Sequence, residues 1–319
     1  MRLCRIKLNG QPQLAFYDEQ RIVPLTNAAK AYADKMGRKL DLPASDSLLD
    51  FLPPAGKGFG AAKELATWMA EHPAVIGSAG SISTSSAELL VPIPRPNKIF
   101  LLAGNYTEHI KEGGGVAPER TETFPYVFMK PPTTTLTDPN KPVRIPTVSP
   151  GAIDWELELG VIIGKTVKGI SEADALSCVA GYTVINDISN RKFRPNADRK
   201  KRDKDAFFDW LHGKWHDSFC PAGPCVTSAD AIPDPQTLKL ELKLNGEVRQ
   251  NSTTAAMIFP VAALIEFIAA ISTLEPGDII STGTPAGVGS ATGTFLKPGD
   301  VLQASIGSIG TLVSPVVAE

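Results

Sequence analysis

The sequence predicts an α+β protein: a mixed, mostly antiparallel β-roll flanked by helices, with a small α+β section at its N-terminus. Three observations predict it. Short apolar runs, several with a period of two, dominate the chain after residue 97. Few stretches carry the period of a helix. The segment Val91-Pro-Ile-Pro-Arg-Pro-Asn97 places three prolines in alternate positions and interrupts regular structure between two differently patterned parts. At 319 residues the chain exceeds the usual size of one domain. A small domain over 1–93 and a larger one over 94–319 are therefore expected.

The elements follow in order. Cys4, Ile6 and Leu8 share one face of an opening strand while Arg5 and Lys7 take the other, and Asn9-Gly10 supplies a hairpin turn toward Leu14 and Phe16. Helices are expected near Asn27–Met36 and Ala61–Glu71. Beyond the proline-rich break, Lys98–Ala103, Tyr126–Met129, Leu157–Ile163 and Val179–Asn186 read as strands. The last is entered from a helix whose start, Ser171-Glu-Ala-Asp174, has the form of a capping box. Leu238–Leu244 alternates throughout and closes on Asn245-Gly246. Pro260–Ile271 is the clearest helix, and Gly277–Thr282 and Val301–Ile306 complete a β-rich second half.

Composition narrows the function classes. Apolar residues make up 43% and charged residues 21%, with a net charge of −2, so the molecule as a whole offers neither nucleic acid nor a membrane surface an electrostatic partner. No apolar run reaches the length of a spanning helix, and the N-terminus lacks the apolar core of a signal peptide; the cytoplasm is expected. Cys4, Cys178, Cys220 and Cys225 are scattered without metal-knuckle spacing, and no disulfide is expected.

Glu156 and Glu158 stand two apart in a strand, so both carboxylates project from one face. A solvated strand face shows the same pattern. Here Trp155, Leu157, Leu159 and Gly160-Val-Ile-Ile163 surround the pair, and an interior pair of acids needs a cation or a shared proton. Oxygen ligands suit Mg²⁺, Mn²⁺ or Ca²⁺. Asp187 ends an apolar strand; it either caps the following turn or completes a set of three carboxylates. His109 and Glu112, three apart after Gly104-Asn-Tyr106, meet if the segment is helical, either as a surface pair or as a general base with its orienting carboxylate. Gly113-Gly-Gly115 after them suits a lid. Lys130 and Lys214, beside rigid or aromatic residues, are solvated charges or counter-charges for an anionic substrate. Arg191–Lys204 holds eight basic side chains in fourteen positions, interrupted by aspartates; a cationic cover over an anion-binding cleft fits it better than a nucleic-acid surface. Ser281-Thr-Gly-Thr-Pro-Ala-Gly-Val-Gly289 lacks the Lys-Ser/Thr ending of a phosphate loop and reads as a tight site loop whose amides and Thr284 hydroxyl meet an anion. His72, His212 and His216 have no partner nearby in sequence and read as structural.

In combination these segments resemble the fumarylacetoacetate hydrolase superfamily over nearly all of the chain after Pro96. The matching stretches include Gly104-Asn-Tyr-Thr-Glu-His109, Phe128-Met-Lys-Pro131, Glu156-Leu-Glu-Leu-Gly160, Gly181–Ser189, Gly213–Phe219, Pro221–Pro224, Asn245–Gln250 and Ser281–Gly289. The resemblance implies Glu156, Glu158 and Asp187 as ligands of Mg²⁺ or Mn²⁺, and His109 with Glu112 as a water-activating dyad. Lys130 and Arg191 are expected beside a small anionic oxo-acid substrate, which by the resemblance Lys214 contacts, with Thr284 at the same pocket. It further implies a β-roll that dimerises. The implied reaction is hydrolysis of a C–C bond in a 2,4-dioxo acid of acylpyruvate or fumarylacetoacetate type, releasing a pyruvate-type enolate. Oxaloacetate decarboxylation and isomerisation or hydration of 2-hydroxyhepta-2,4-dienedioate use the same residues and stay open, as does a metal-binding scaffold without turnover. Asn190-Arg-Lys192 departs from the Ala-Arg-Asp that is common at this point of the family, which bears on the substrate more than on the metal.

Overall fold

The computed structural model describes residues 1–78, 80–117 and 119–319. Its spine is a twelve-stranded sheet. At the centre the Leu157–Ile163 strand, buried at every position, pairs antiparallel with Val179–Asn186 on one side and Ile279–Ser281 on the other. Cys220–Ser228 follows Val179–Asn186, while Ile99–Ala103 pairs parallel with Ile279–Ser281 and carries Tyr126–Met129 at the sheet's edge. A second sheet runs Glu247–Thr253, Lys239–Leu244, Val301–Ile306, Gly310–Ala318, Val143–Ile145. The fold is α+β with mixed sheets, as the sequence predicts.

The alternation of Lys239–Leu244 has its expected effect: Leu240, Leu242 and Leu244 are buried and the intervening residues reach solvent. Together with Leu302, Ala304, Ile306 and Leu312 they close one core against Leu157, Leu159, Val161 and the helix Val261–Ile271. Pro260 precedes that helix, so the chain enters it one residue later than the sequence pattern predicts. Ser171 caps Glu172–Ala175, its Oγ accepting from Asp174 N.

The N-terminal strands are not set apart from this sheet. Arg2–Leu8 forms the expected hairpin with Gln11–Tyr17 across Asn9 and Gly10, both at positive φ, and its other edge pairs with Cys220–Ser228 at Arg2↔Thr227 and Leu3↔Val226. Both faces of this strand are covered. Cys4 and Ile6 enter the core just described, and Leu3 enters a second one with Tyr32, Phe51, Trp68, Ile162, Ile185 and Val226. Arg5 therefore does not stand on a solvated face as its alternation suggests: it is buried and donates from Nη1 to Val91 O at 3.1 Å. The first two helices run Leu25–Met36 and Phe59–Glu71, each starting two residues earlier than the sequence pattern predicts. No helix among the described residues is long and apolar enough to cross a membrane, and the four cysteines are free and buried.

Candidate active site

Strand register builds the site. In the central ladder Leu157 faces Asn186 and Glu158 faces Ile185; one step on, Asp187 N donates to Glu156 O at 2.8 Å. Glu156 and Glu158 project from one face by the two-residue period, and Asp187 lies across from Glu156. Slipping the register by one residue would send Asp187 to the opposite face. Glu156 itself lies just before the strand rather than within it, held by Asn186 Oδ1, which accepts from Glu156 N at 2.9 Å. All three side chains are buried, and one carboxylate oxygen from each lies within 4.8 Å of the others.

Buried carboxylates demand compensation. Lys214 Nζ donates to Glu156 Oε2 at 2.9 Å and to Asp187 Oδ2 at 2.5 Å. Gly213 makes this reach possible: a Cβ there would stand 2.5 Å from Asn190 O, so only glycine lets the chain pass from the Asp205–His212 helix to Lys214 so close to the site. Lys130 Nζ, fully buried, donates to Ile188 O at 2.9 Å and Phe219 O at 2.5 Å and stands 2.5 Å from Asp187 Oδ1. Arg191 spans two acids, with Nε 2.8 Å from Asp154 Oδ2 and Nη2 2.6 Å from Glu156 Oε1. Four carboxylates (Asp154, Glu156, Glu158, Asp187) thus meet three cations (Lys130, Lys214, Arg191), leaving one negative charge over.

The shortfall of positive charge falls at Glu158. Its Oε2 accepts from Ser281 Oγ at 2.6 Å and Gly283 N at 2.9 Å, but its Oε1 is buried without a partner. Burial, followed by repulsion from Asp187 and Glu156, pushes the Glu158 carboxyl well above the usual range. Burial also works against ionisation of Glu156, but Lys214, then Arg191 and His109, outweigh it and hold that carboxyl below its ordinary value. An unpartnered oxygen and an uncompensated charge amid three converging carboxylates are what a hard divalent cation would satisfy. The residues fit such an ion.

His109 and Glu112 lie on the helix Thr107–Glu112, where their three-residue spacing brings His109 Nδ1 to 2.7 Å from Glu112 Oε1. A carboxylate partner assigns the proton to Nδ1 and leaves Nε2 with a free lone pair. Glu112 Oε2 accepts from Gly287 N at 2.8 Å, and Trp155 Nε1 donates to Gly287 O at 3.1 Å, so the dyad is tied to the residue between two of the acids. Asn105 fastens the start of this helix: its Nδ2 donates to Thr282 O and Phe259 O, and its Oδ1 accepts from Phe259 N.

Thr284 lies beside the site with its hydroxyl engaged, donating to Leu157 O at 2.9 Å and accepting from Gln250 Nε2 at 2.8 Å. Of the basic run only Arg191 reaches the carboxylates; Arg199 and Arg202 are tied to Asp205 and Asp209 of the neighbouring helix. Asp154, Asn105, Asn186, Gln250 and Ser281 also build the site, and sequence reasoning does not single them out. Asp154 carries a faint signal, as the first acid of a run otherwise apolar on both sides, and Asn105 carries one in its place between Gly104, at positive φ, and Tyr106. Asn186, Gln250 and Ser281 fall inside stretches that carry the family resemblance, but no local pattern marks them individually.

The chain has relatives among known proteins. Residues 98–317 match the family model "Fumarylacetoacetate (FAA) hydrolase C-terminal". The chain is 40% identical over 238 residues, 74% of its own length and 70% of the other's, to a mitochondrial oxaloacetate tautomerase of Xenopus laevis. It is 41% identical over 224 residues, 69% of its length and 73% of the other's, to a 2,4-didehydro-3-deoxy-L-rhamnonate hydrolase of a Sphingomonas species. A solved fumarylacetoacetate hydrolase from Exiguobacterium antarcticum superposes with a TM-score of 0.75 at 27% identity, over 100% of both chains.

Proposed function

The chain belongs to the fumarylacetoacetate hydrolase family, a family of enzymes, and from that premise we propose that it hydrolyses a carbon–carbon bond of a 2,4-dioxo acid. The observation that carries this choice is the His109–Glu112 pair, a base with its second nitrogen free and its carboxylate anchored on Gly287. Glu156, Glu158 and Asp187 would hold Mg²⁺ or Mn²⁺, with Ca²⁺ a third candidate. When bound, a divalent ion supplies Lewis acidity toward the oxygens of an oxo acid.

The protein's own groups do the rest. His109 Nε2 takes a proton from water, and Glu112 steadies the imidazolium that forms. The resulting hydroxide adds to the C4 carbonyl carbon. The C3–C4 bond then breaks, its electron pair passing into a pyruvate-type enolate, and the proton held at His109 Nε2 is returned to C3. Lys214, between Glu156 and Asp187, opposes the enolate's negative charge from a site where water is largely absent. Lys130, with Ile188 O, Phe219 O and Asp187 around its Nζ, holds Asp187 in place rather than meeting substrate. Arg191 and Thr284, both engaged by protein groups, shape the walls.

The 40% identity to an oxaloacetate tautomerase favours a second reading, proton transfer at C3 of oxaloacetate without attack by water. Decarboxylation of oxaloacetate and isomerisation of unsaturated oxo-diacids draw on the same enolate. Turnover of an acylpyruvate panel and of enol-oxaloacetate, with Mn²⁺ and with chelator, separates these. Acylpyruvate hydrolysis should need the cation and should fall by about 10²–10⁴-fold in His109→Ala. Hydrolysis persisting at the wild-type rate in that variant removes the water-activation role. A wild-type protein that tautomerises oxaloacetate and cleaves no acylpyruvate replaces the first reading with the second.

A further inference from the structure

A fourth acid stands at the centre without being one of the three converging carboxylates. Asp154, on the two-residue strand Ile153–Asp154, is fully buried. Its Oδ1 accepts from Trp155 N at 2.8 Å and Gly289 N at 2.6 Å. Its Oδ2 accepts from Ser290 N at 3.0 Å and from Arg191 Nε at 2.8 Å. Four donors fill the capacity of a carboxylate, so Asp154 has nothing left to offer a cation. Arg191 in turn places Nη2 2.6 Å from Glu156 Oε1. One guanidinium therefore bridges an acid locked into backbone and an acid facing the candidate metal position. We infer that Asp154 is a positioning residue that acts through Arg191 to fix Glu156 for a divalent ion.

The physical reason lies in the shape of the guanidinium. Left with Glu156 alone, Arg191 would swing into the bidentate pairing that arginine and carboxylate favour and would take both oxygens of Glu156. With Nε held by Asp154, it reaches Glu156 Oε1 with one arm, and Oε2 remains with Lys214. The backbone around Asp154 is shaped to hold it. A Cβ on Gly289 would stand 2.7 Å from Asp154 Oδ1 and 2.0 Å from Thr294 O, so only glycine brings that N–H so near. The same segment leads to the dyad. Trp155, next to Asp154, holds Gly287 O, while Gly287 N holds Glu112. Asp154 thus stands where the arm that orients Glu156 meets the loop that orients Glu112.

The inference rests on the reading of Glu156, Glu158 and Asp187 as a metal centre, and not on which reaction is run there. Its test is Mn²⁺ affinity, measured by titration calorimetry on the full chain after chelator treatment, for wild type, Asp154→Asn, Arg191→Gln and the double variant. In Asp154→Asn an amide NH₂ competes for the place between Ser290 N–H and Arg191 Nε, and Mn²⁺ binding should weaken by about 10–100-fold, the usual cost of losing an outer hydrogen-bond partner at a metal site. In the Arg191→Gln background the same change should cost nothing further, because the path to Glu156 is already cut. A folded Asp154→Asn protein with wild-type Mn²⁺ affinity overturns the inference, and so do losses that simply add in the double variant. Should Asp154→Asn fail to fold, Arg191→Gln carries the test: it leaves Asp154 its three backbone donors and should still lose about tenfold or more, and unchanged affinity overturns the inference. Wild type that binds no Mn²⁺ overturns it together with the metal centre. Wild type that binds Mn²⁺ yet cleaves no acylpyruvate removes only the proposed reaction.

Discussion

Glu158 is the residue in which the conflict between folding and function is sharpest. Folding buries its carboxylate completely, gives Oε2 two donors and leaves Oε1 none. In the cation-free protein this is a net cost: the buried carboxyl either stays charged without its hydration or takes up a proton, the direction in which burial pushes it. Glutamine keeps the shape and an acceptor for Ser281 and Gly283 while removing the charge. Glu158→Gln should therefore melt a few degrees higher than wild type in EDTA, and should lose most of the gain in melting temperature that saturating Mn²⁺ gives wild type. Thermal scans with and without Mn²⁺ decide it. A variant less stable without the ion, yet still fully stabilised by it, would show that Glu158 is not a ligand.

At the scale of elements, the site is an agreement among segments far apart in the chain. The Leu157–Ile163 and Val179–Asn186 strands set the carboxylates, the helix Thr107–Glu112 brings the dyad, and the turn after Ile279–Ser281 supplies N–H groups to both. Asn105 joins the last two. Its amide makes three buried hydrogen bonds, and a Cβ on Gly283 (φ +87°) would stand 2.9 Å from Asn105 Cβ. Asn105→Ala leaves buried backbone groups at Thr282 and Phe259 unpaired and should cost about 2–4 kcal/mol in urea unfolding. Activity should fall further than stability, because Glu112 loses its register with Gly287. A cost below about 0.5 kcal/mol, within the range of an inconsequential surface change, contradicts this account. The strands themselves are legible in the sequence: Leu157–Ile163 and Val179–Asn186 follow from apolar runs, and Glu156 with Glu158 from a two-residue period. Their convergence with Asp187 is legible only through resemblance, because pairing register is set between segments and not within them. Asp154 shows the limit most clearly: its four donors come from residues 155, 191, 289 and 290, and no local pattern around Asp154 encodes them.

At the scale of the whole molecule, the same non-local pairing decides how the first third of the chain relates to the rest. Chain length and the proline-rich break suggest a small domain ending near residue 93. Yet Arg2–Leu8 is hydrogen-bonded to Cys220–Ser228, and Leu3, Tyr32, Phe51 and Trp68 share a core with Ile99, Leu101, Ile162, Ile185 and Val226. Removing residues 1–93 would bare that half-core and leave the Cys220–Ser228 strand with an open edge, a template for pairing with other chains. The next strand in from that edge, Val179–Asn186, is the one that leads into Asp187, so the damage reaches the site. A 94–319 fragment should therefore be recovered as aggregate, or as a species binding a hydrophobic dye strongly and Mn²⁺ weakly, even though it contains every carboxylate, lysine and histidine of the site. Size-exclusion chromatography with near-ultraviolet dichroism checks this. A monodisperse fragment with native dichroism and wild-type Mn²⁺ affinity would mean that the N-terminal strands are an addition to the sheet and not one of its supports.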